Sequence, residues 1–81
     1  MNIYVGNLDF KVDESDLEAI FEEYGTVSSA KIITDKYSGR SKGFGFVIMD
    51  NMTEAQKAIE GLNGATLEDR EIIVNEARPR K

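Results

Sequence analysis

Apolar positions along the chain repeat with two different periods. From Asn2 to Leu8 they alternate, with Ile3 and Val5 on one face of an extended segment and Tyr4 on the other. Further on, Leu17, Ile20, Phe21 and Tyr24 stand at i, i+3, i+4 and i+7, the stripe of an amphipathic helix. Asp13 precedes that stripe as a helix N-cap, and acids at 14 and 16 suit the positive end of the helix dipole. Gly25 is expected to end the helix at C′. A second strand is expected over 27–34, with Val27, Ala30 and Ile32 inward and Lys31 and Ile33 outward. Residues 35–41 form a polar turn with Gly39 at its tip.

Lys42-Gly43-Phe44-Gly45-Phe46-Val47-Ile48-Met49 reads as the third strand, with Lys42, Phe44, Phe46 and Ile48 on one face and the two glycines, Val47 and Met49 on the other. Thr53 with Gln56 reads as the capping box of a second helix, whose buried stripe is Ala55, Ala58, Ile59 and Leu62 and which Asn63-Gly64 closes. Residues 71–77 form the last strand, with Ile72 and Val74 inward and Ile73, Asn75 and Ala77 outward, and Pro79 stops it. The order is β-α-β-β-α-β. It predicts an α+β, ferredoxin-like domain over residues 1–81, a four-stranded antiparallel sheet with both helices on one face.

The other face of that sheet would carry Tyr4, Lys31, Ile33, Lys42, Phe44, Phe46, Ile48, Ile73 and Asn75. So much apolar and aromatic surface is costly in water unless something covers it. Rings beside a cation suit stacking on unpaired bases next to a phosphate.

Composition narrows the chemistry. The 81 residues contain no Cys and no His, which removes disulfides, thiolate and imidazole metal ligands, and the commonest general base near neutral pH. No cluster of carboxylates, Lys, Ser, Thr or Tyr converges in the sequence, so neither an enzyme nor a cofactor or metal site is expected. No run reaches the ~18–20 apolar residues of a membrane span, and the N-terminus lacks the pattern of a secretory signal. The expectation is a soluble cytoplasmic protein, with a nuclear or organellar place left open.

Net charge is −5, which by itself argues against a polyanionic partner. Its distribution changes the picture. Residues 9–23 hold seven acids and one base and 43–77 seven acids and two bases, whereas 31–42 hold four bases and one acid and 78–81 three bases and no acid. The cations sit in two short segments and the acids mostly on the expected helices, and screening reduces the penalty from acids more than ~8–10 Å away.

Lys42 to Met49 resembles the octapeptide motif of the RNA recognition motif family, and Ile3 to Leu8 resembles its companion hexapeptide. The resemblance covers essentially the whole chain. It implies that Tyr4 and Phe46 stack on successive bases, that Phe44 lies against the sugars between them, and that Lys42 meets a phosphate. It further implies contacts to base edges from Asn75, Ala77 and Arg78, and a clamp from Arg40 and Lys36. Base preference is expected to be set by the outward residues Lys31, Asn75 and Arg78 and by the ordering of the tail. The implied role is a single-stranded RNA-binding module in post-transcriptional regulation, monomeric, with weaker binding of single-stranded DNA and no small-molecule substrate. The last octapeptide position is usually aromatic in the family and is Met49 here, a change expected in the core rather than at the RNA.

Several features have plainer readings. Outward rings on a sheet are also buried by partner proteins, so a protein-interaction module on the same fold is the alternative function. Gly43 and Gly45 mark a bulge, a close backbone approach, or relief of crowding against a helix, the last being favoured. Lys36 and Arg40 read equally as solvated turn charges. Tyr24 is expected in the core, and Tyr37 reads either as an exposed turn residue or as a ring folding over a ligand. The chain reads equally as a free-standing protein, like the compact single-domain members of that family in bacteria, and as one domain of a longer one.

Overall fold

The computed structural model describes residues 1–39 and 41–77, with the backbone alone at Ser41 and Lys42. Four strands form one antiparallel sheet: β1 (Asn2–Gly6), β2 (Ser29–Thr34), β3 (Ser41–Ile48) and β6 (Ile73–Glu76), in the spatial order β2-β3-β1-β6. Helix α1 (Glu14–Glu22) packs on β2 and β3, and α2 (Met52–Leu62) packs on β6. The alternation sends Ile3, Val5, Ile32, Val47, Met49, Ile72 and Val74 inward, where they meet Leu17 and Phe21 of α1 and Ala55, Ala58 and Leu62 of α2. The core is thus one apolar layer between sheet and helices. Met49 is fully buried, so its departure from the family pattern is a matter of packing. Tyr24 packs against the core's edge as expected.

The ends of β1, β2 and β6 fall inside the expected ranges, and β3 starts one residue earlier than expected, at Ser41. Asn7 takes a left-handed φ of 57° and leaves β1, and its side-chain amide donates to the Glu71 carbonyl at 2.7 Å. Leu8 turns back into the core while its N–H donates to Gly43 O at 2.8 Å. Asp13 caps α1 as expected and closes a reciprocal box with Asp16: the Asp16 N–H donates to Asp13 Oδ1 at 2.9 Å, and the Asp13 N–H to Asp16 Oδ2 at 3.3 Å.

Four expectations need correction. Helix α1 ends without a left-handed glycine: Glu23 is its C-cap in the right-handed region, and Gly25 is not among the glycines with positive φ. Gly25 is small for another reason, since a Cβ there would strike the Glu54 carboxylate, which accepts from the Thr26 N–H at 3.2 Å. Helix α2 is capped by Asn51, whose Oδ1 accepts from the Glu54 N–H at 3.0 Å, so Thr53 lies inside the first turn and no Thr53–Gln56 box forms.

The segment before the last strand is a small separate hairpin, β4 (Thr66–Leu67) and β5 (Arg70–Glu71), absent from the sequence reading. Finally, the octapeptide glycines answer to the neighbouring strand and not to a helix. A Cβ on Gly45 would strike the Lys31 carbonyl and the Ile32 backbone across β2, and Gly43 has a φ of +86° beside a register shift between Ile32 and Thr34. These are the close-approach and bulge readings.

The end of α2 follows the sequence. Asn63 is its C-cap and Gly64 has a φ of +86°. The Asn63 side chain has a second use, accepting the Val74 N–H at 3.0 Å and so tying the helix end to β6.

Candidate nucleic-acid interface

Among the described residues no helix covers the outer face of the sheet, and a row of four side chains crosses it. Asn75 on β6 stands opposite Tyr4 on β1, Tyr4 opposite Phe46 on β3, and Phe46 opposite Lys31 on β2. With strands about 4.8 Å apart, the row spans roughly 14 Å, the full width of the sheet. Phe44 lies two residues from Phe46 on the same face.

The three rings touch one another. Ring centroids are 6.0 Å apart for Tyr4 and Phe44, nearly parallel at 30°, 5.9 Å for Tyr4 and Phe46 at 66°, and 6.2 Å for Phe44 and Phe46 at 89°. Contacts in these geometries are worth about 0.5–1.5 kcal/mol each beyond the area they bury. Each ring is half-buried as a result, whereas the sequence reading had them exposed. The mutual contact holds the rings in place before any ligand arrives, which lowers the ordering cost of binding. Tyr4 leans along its own strand over Gly6, where a Cβ would sit 2.6 Å from the phenol oxygen. A side chain at that position would displace the ring.

The remaining expected residues fall into three groups. Lys31 and Asn75 are exposed at opposite ends of the row, and Lys36 is exposed in the β2–β3 turn. Ala77 is half-buried and its N–H donates to Asn2 O at 2.8 Å, so that donor is already used and only its carbonyl remains for a ligand. Arg40, Arg78 and the basic tail 78–81 lie outside the described residues, as does the side chain of Lys42. Tyr37 is 99% exposed, an arrangement common to both of its readings.

One aromatic residue escaped the sequence reading. Phe10, between β1 and α1, is 71% exposed, although Leu8 and Val12 on either side are buried. A turn makes the difference: the Val12 N–H donates to Asp9 O at 3.1 Å and the Lys11 N–H to Asp9 Oδ1 at 2.9 Å. The apolar spacing at 8, 10 and 12 was the available signal, and it would have placed all three side chains on one face. Among the described residues, no group of three or more His, Cys, Asp or Glu could hold a metal, and no helix is long and apolar enough to cross a membrane.

Comparison with known proteins agrees with this architecture. The chain is 54% identical over 78 residues to the chloroplast 29 kDa ribonucleoprotein of Arabidopsis thaliana, covering 96% of this chain and 23% of that protein. It is 48% identical over 81 residues to RbpA of Synechocystis sp., covering all of this chain and 80% of that one. The chain thus spans about a quarter of the plant relative and four-fifths of the bacterial one. Among solved structures, RNA binding protein PG1 superposes with a TM-score of 0.94 at 49% identity, covering 100% of this chain and 98% of that one. The family model described as RNA recognition motif matches residues 3–73, and the chain belongs to that family.

Proposed function

We propose that the protein binds single-stranded RNA on the outer face of its sheet. One base stacks on Tyr4 and a neighbouring base on Phe46, Phe44 lies against the sugars between them, and Lys31 and Lys42 meet phosphates. Asn75, the Ala77 carbonyl and Arg78 meet base edges, and Arg40 and Lys36 close the strand from the side. The observation that carries this reading is the row Asn75–Tyr4–Phe46–Lys31, two rings flanked by an amide and a cation on a face that no helix covers among the described residues. Relatives named as a ribonucleoprotein and an RNA binding protein support it.

Two stacks worth about 1–3 kcal/mol each, with a few polar contacts, correspond to micromolar affinity. The acidic helices weaken long-range attraction to a polyanion, so the charge contribution is local. Single-stranded DNA binds less tightly, because it lacks the 2′-OH while keeping its stacking faces. The module acts by binding rather than catalysis, as a monomeric domain over 1–81, in the cytoplasm of a bacterial-type cell. Its role is post-transcriptional.

Titration with fluorescein-labelled oligoribonucleotides of random sequence, read by anisotropy, tests the proposal. Micromolar binding that falls in both Tyr4→Ala and Phe46→Ala supports it. No binding up to millimolar protein, or binding indifferent to both substitutions, overturns it.

A further inference from the structure

We infer that the RNA site extends past the edge of β2 into a cavity at Phe10, which takes one additional base flanking those on Tyr4 and Phe46; the inference rests on the RNA-binding reading above. The cavity has a volume of about 480 Å³, and Lys31, the last member of the cross-strand row, is part of its lining. Small-molecule pockets run from ~300 to 1,000 Å³, so it is large enough for a nucleobase. Its apolar lining comes from Phe10, Val12 and Ile32, and Lys31 and Thr34 contribute polar groups. The Asp9 turn holds Phe10 outward between two buried neighbours, so the ring stays out of the core and is open to a ligand.

The polar lining decides what part of the nucleotide enters. Asp13 and Glu14 contribute carboxylates, and both are fixed: Asp13 caps α1, and Glu14 Oε2 accepts the Ile32 N–H at 3.1 Å. Carboxylates repel a phosphate and accept from an amine. The base therefore goes in, its phosphate stays outside with Lys31, and a base bearing an exocyclic amine is favoured over uracil. Lys31 belongs both to the row and to the cavity lining, so a strand that follows the row from Tyr4 through Phe46 to Lys31 arrives at the cavity.

The test compares oligoadenylate and oligouridylate of two and five nucleotides by amide-shift titration, which measures millimolar binding of the dinucleotides as well. Wild-type protein is expected to bind the adenylate pentamer tighter than the uridylate pentamer, with pentamer-only shifts at Val12, Ile32 and Thr34. Phe10→Ala should weaken the adenylate pentamer about tenfold and leave the dinucleotide unchanged. Phe10→Tyr should restore the loss, and because Phe10 is exposed the thermal melt of each variant should match wild type. Phe46→Ala should weaken both lengths. If Phe10→Ala leaves the pentamer unaffected while Phe46→Ala weakens it, the cavity is not a base site and the RNA-binding reading stands. If neither length binds wild-type protein, that reading falls and the cavity assignment falls with it.

Discussion

Tyr4 and Phe46 face each other across the β1–β3 ladder with ring centroids 5.9 Å apart, so each ring is part of the other's support. Removing either should lower RNA affinity by about 1–3 kcal/mol while the domain still unfolds cooperatively. Because the rings touch, the double variant should depart from the sum of the singles by at least about 0.5 kcal/mol. A double-mutant cycle from anisotropy titrations measures this. Strict additivity would mean that the two rings act independently.

Lys31 is the exposed cation that the ladder places next to the rings. Lys31→Ala should flatten the dependence of log affinity on log salt by about one unit or less, as expected for one lost phosphate contact. Titrations at several salt concentrations give the slope, and an unchanged slope would remove Lys31 from the backbone path.

The start of α2 separates two caps by a single comparison. Asn51→Ala should cost about 1 kcal/mol, since it leaves the Glu54 N–H without its acceptor. Thr53→Ala should stay within about 0.5 kcal/mol, as an exposed first-turn substitution. Urea unfolding of both variants gives the order, and the reverse order would move the cap to Thr53.

Gly45→Ala should destabilise by roughly 1–3 kcal/mol, because the new methyl group meets the Lys31 carbonyl, a backbone atom that cannot swing away. Chemical denaturation measures the loss. Full stability in the variant would show that β2 and β3 separate more easily than their register suggests.

The β4–β5 hairpin turns on Glu68 and Asp69, with φ of 51° and 64°, the left-handed region that favours Asn and Gly. Replacing the pair by Asn-Gly should raise stability by roughly 1 kcal/mol and leave RNA binding unchanged. Thermal melts of the double variant check the first expectation and anisotropy the second.

Much of this molecule was legible in its residues, and the failures have physical causes. Thr53 with Gln56 reads as the helix start, yet the helix begins two residues earlier with Asn51 as its cap. The same Glu54 whose N–H Asn51 accepts also accepts the Thr26 N–H through its side chain, a tertiary contact that the local spacing does not show. The hairpin strands are two residues each, too short to show any period. The space that Gly45 leaves is filled by another strand, and that partner cannot be read from the octapeptide itself.

Side-chain alternation is a property of the extended backbone, so the sequence alone determined that Tyr4, Phe44 and Phe46 share the outer face, that Met49 is buried, and that Asp13 opens a helix. Contact between distant segments is not local. Only the tertiary structure decided that the three rings support one another, that Lys31 and Asn75 end the same row, that the Ala77 N–H is already occupied, and that Phe10 stands at the rim of a cavity. Each of these depends on strand register and on a turn held by hydrogen bonds, which form once the chain has packed against itself.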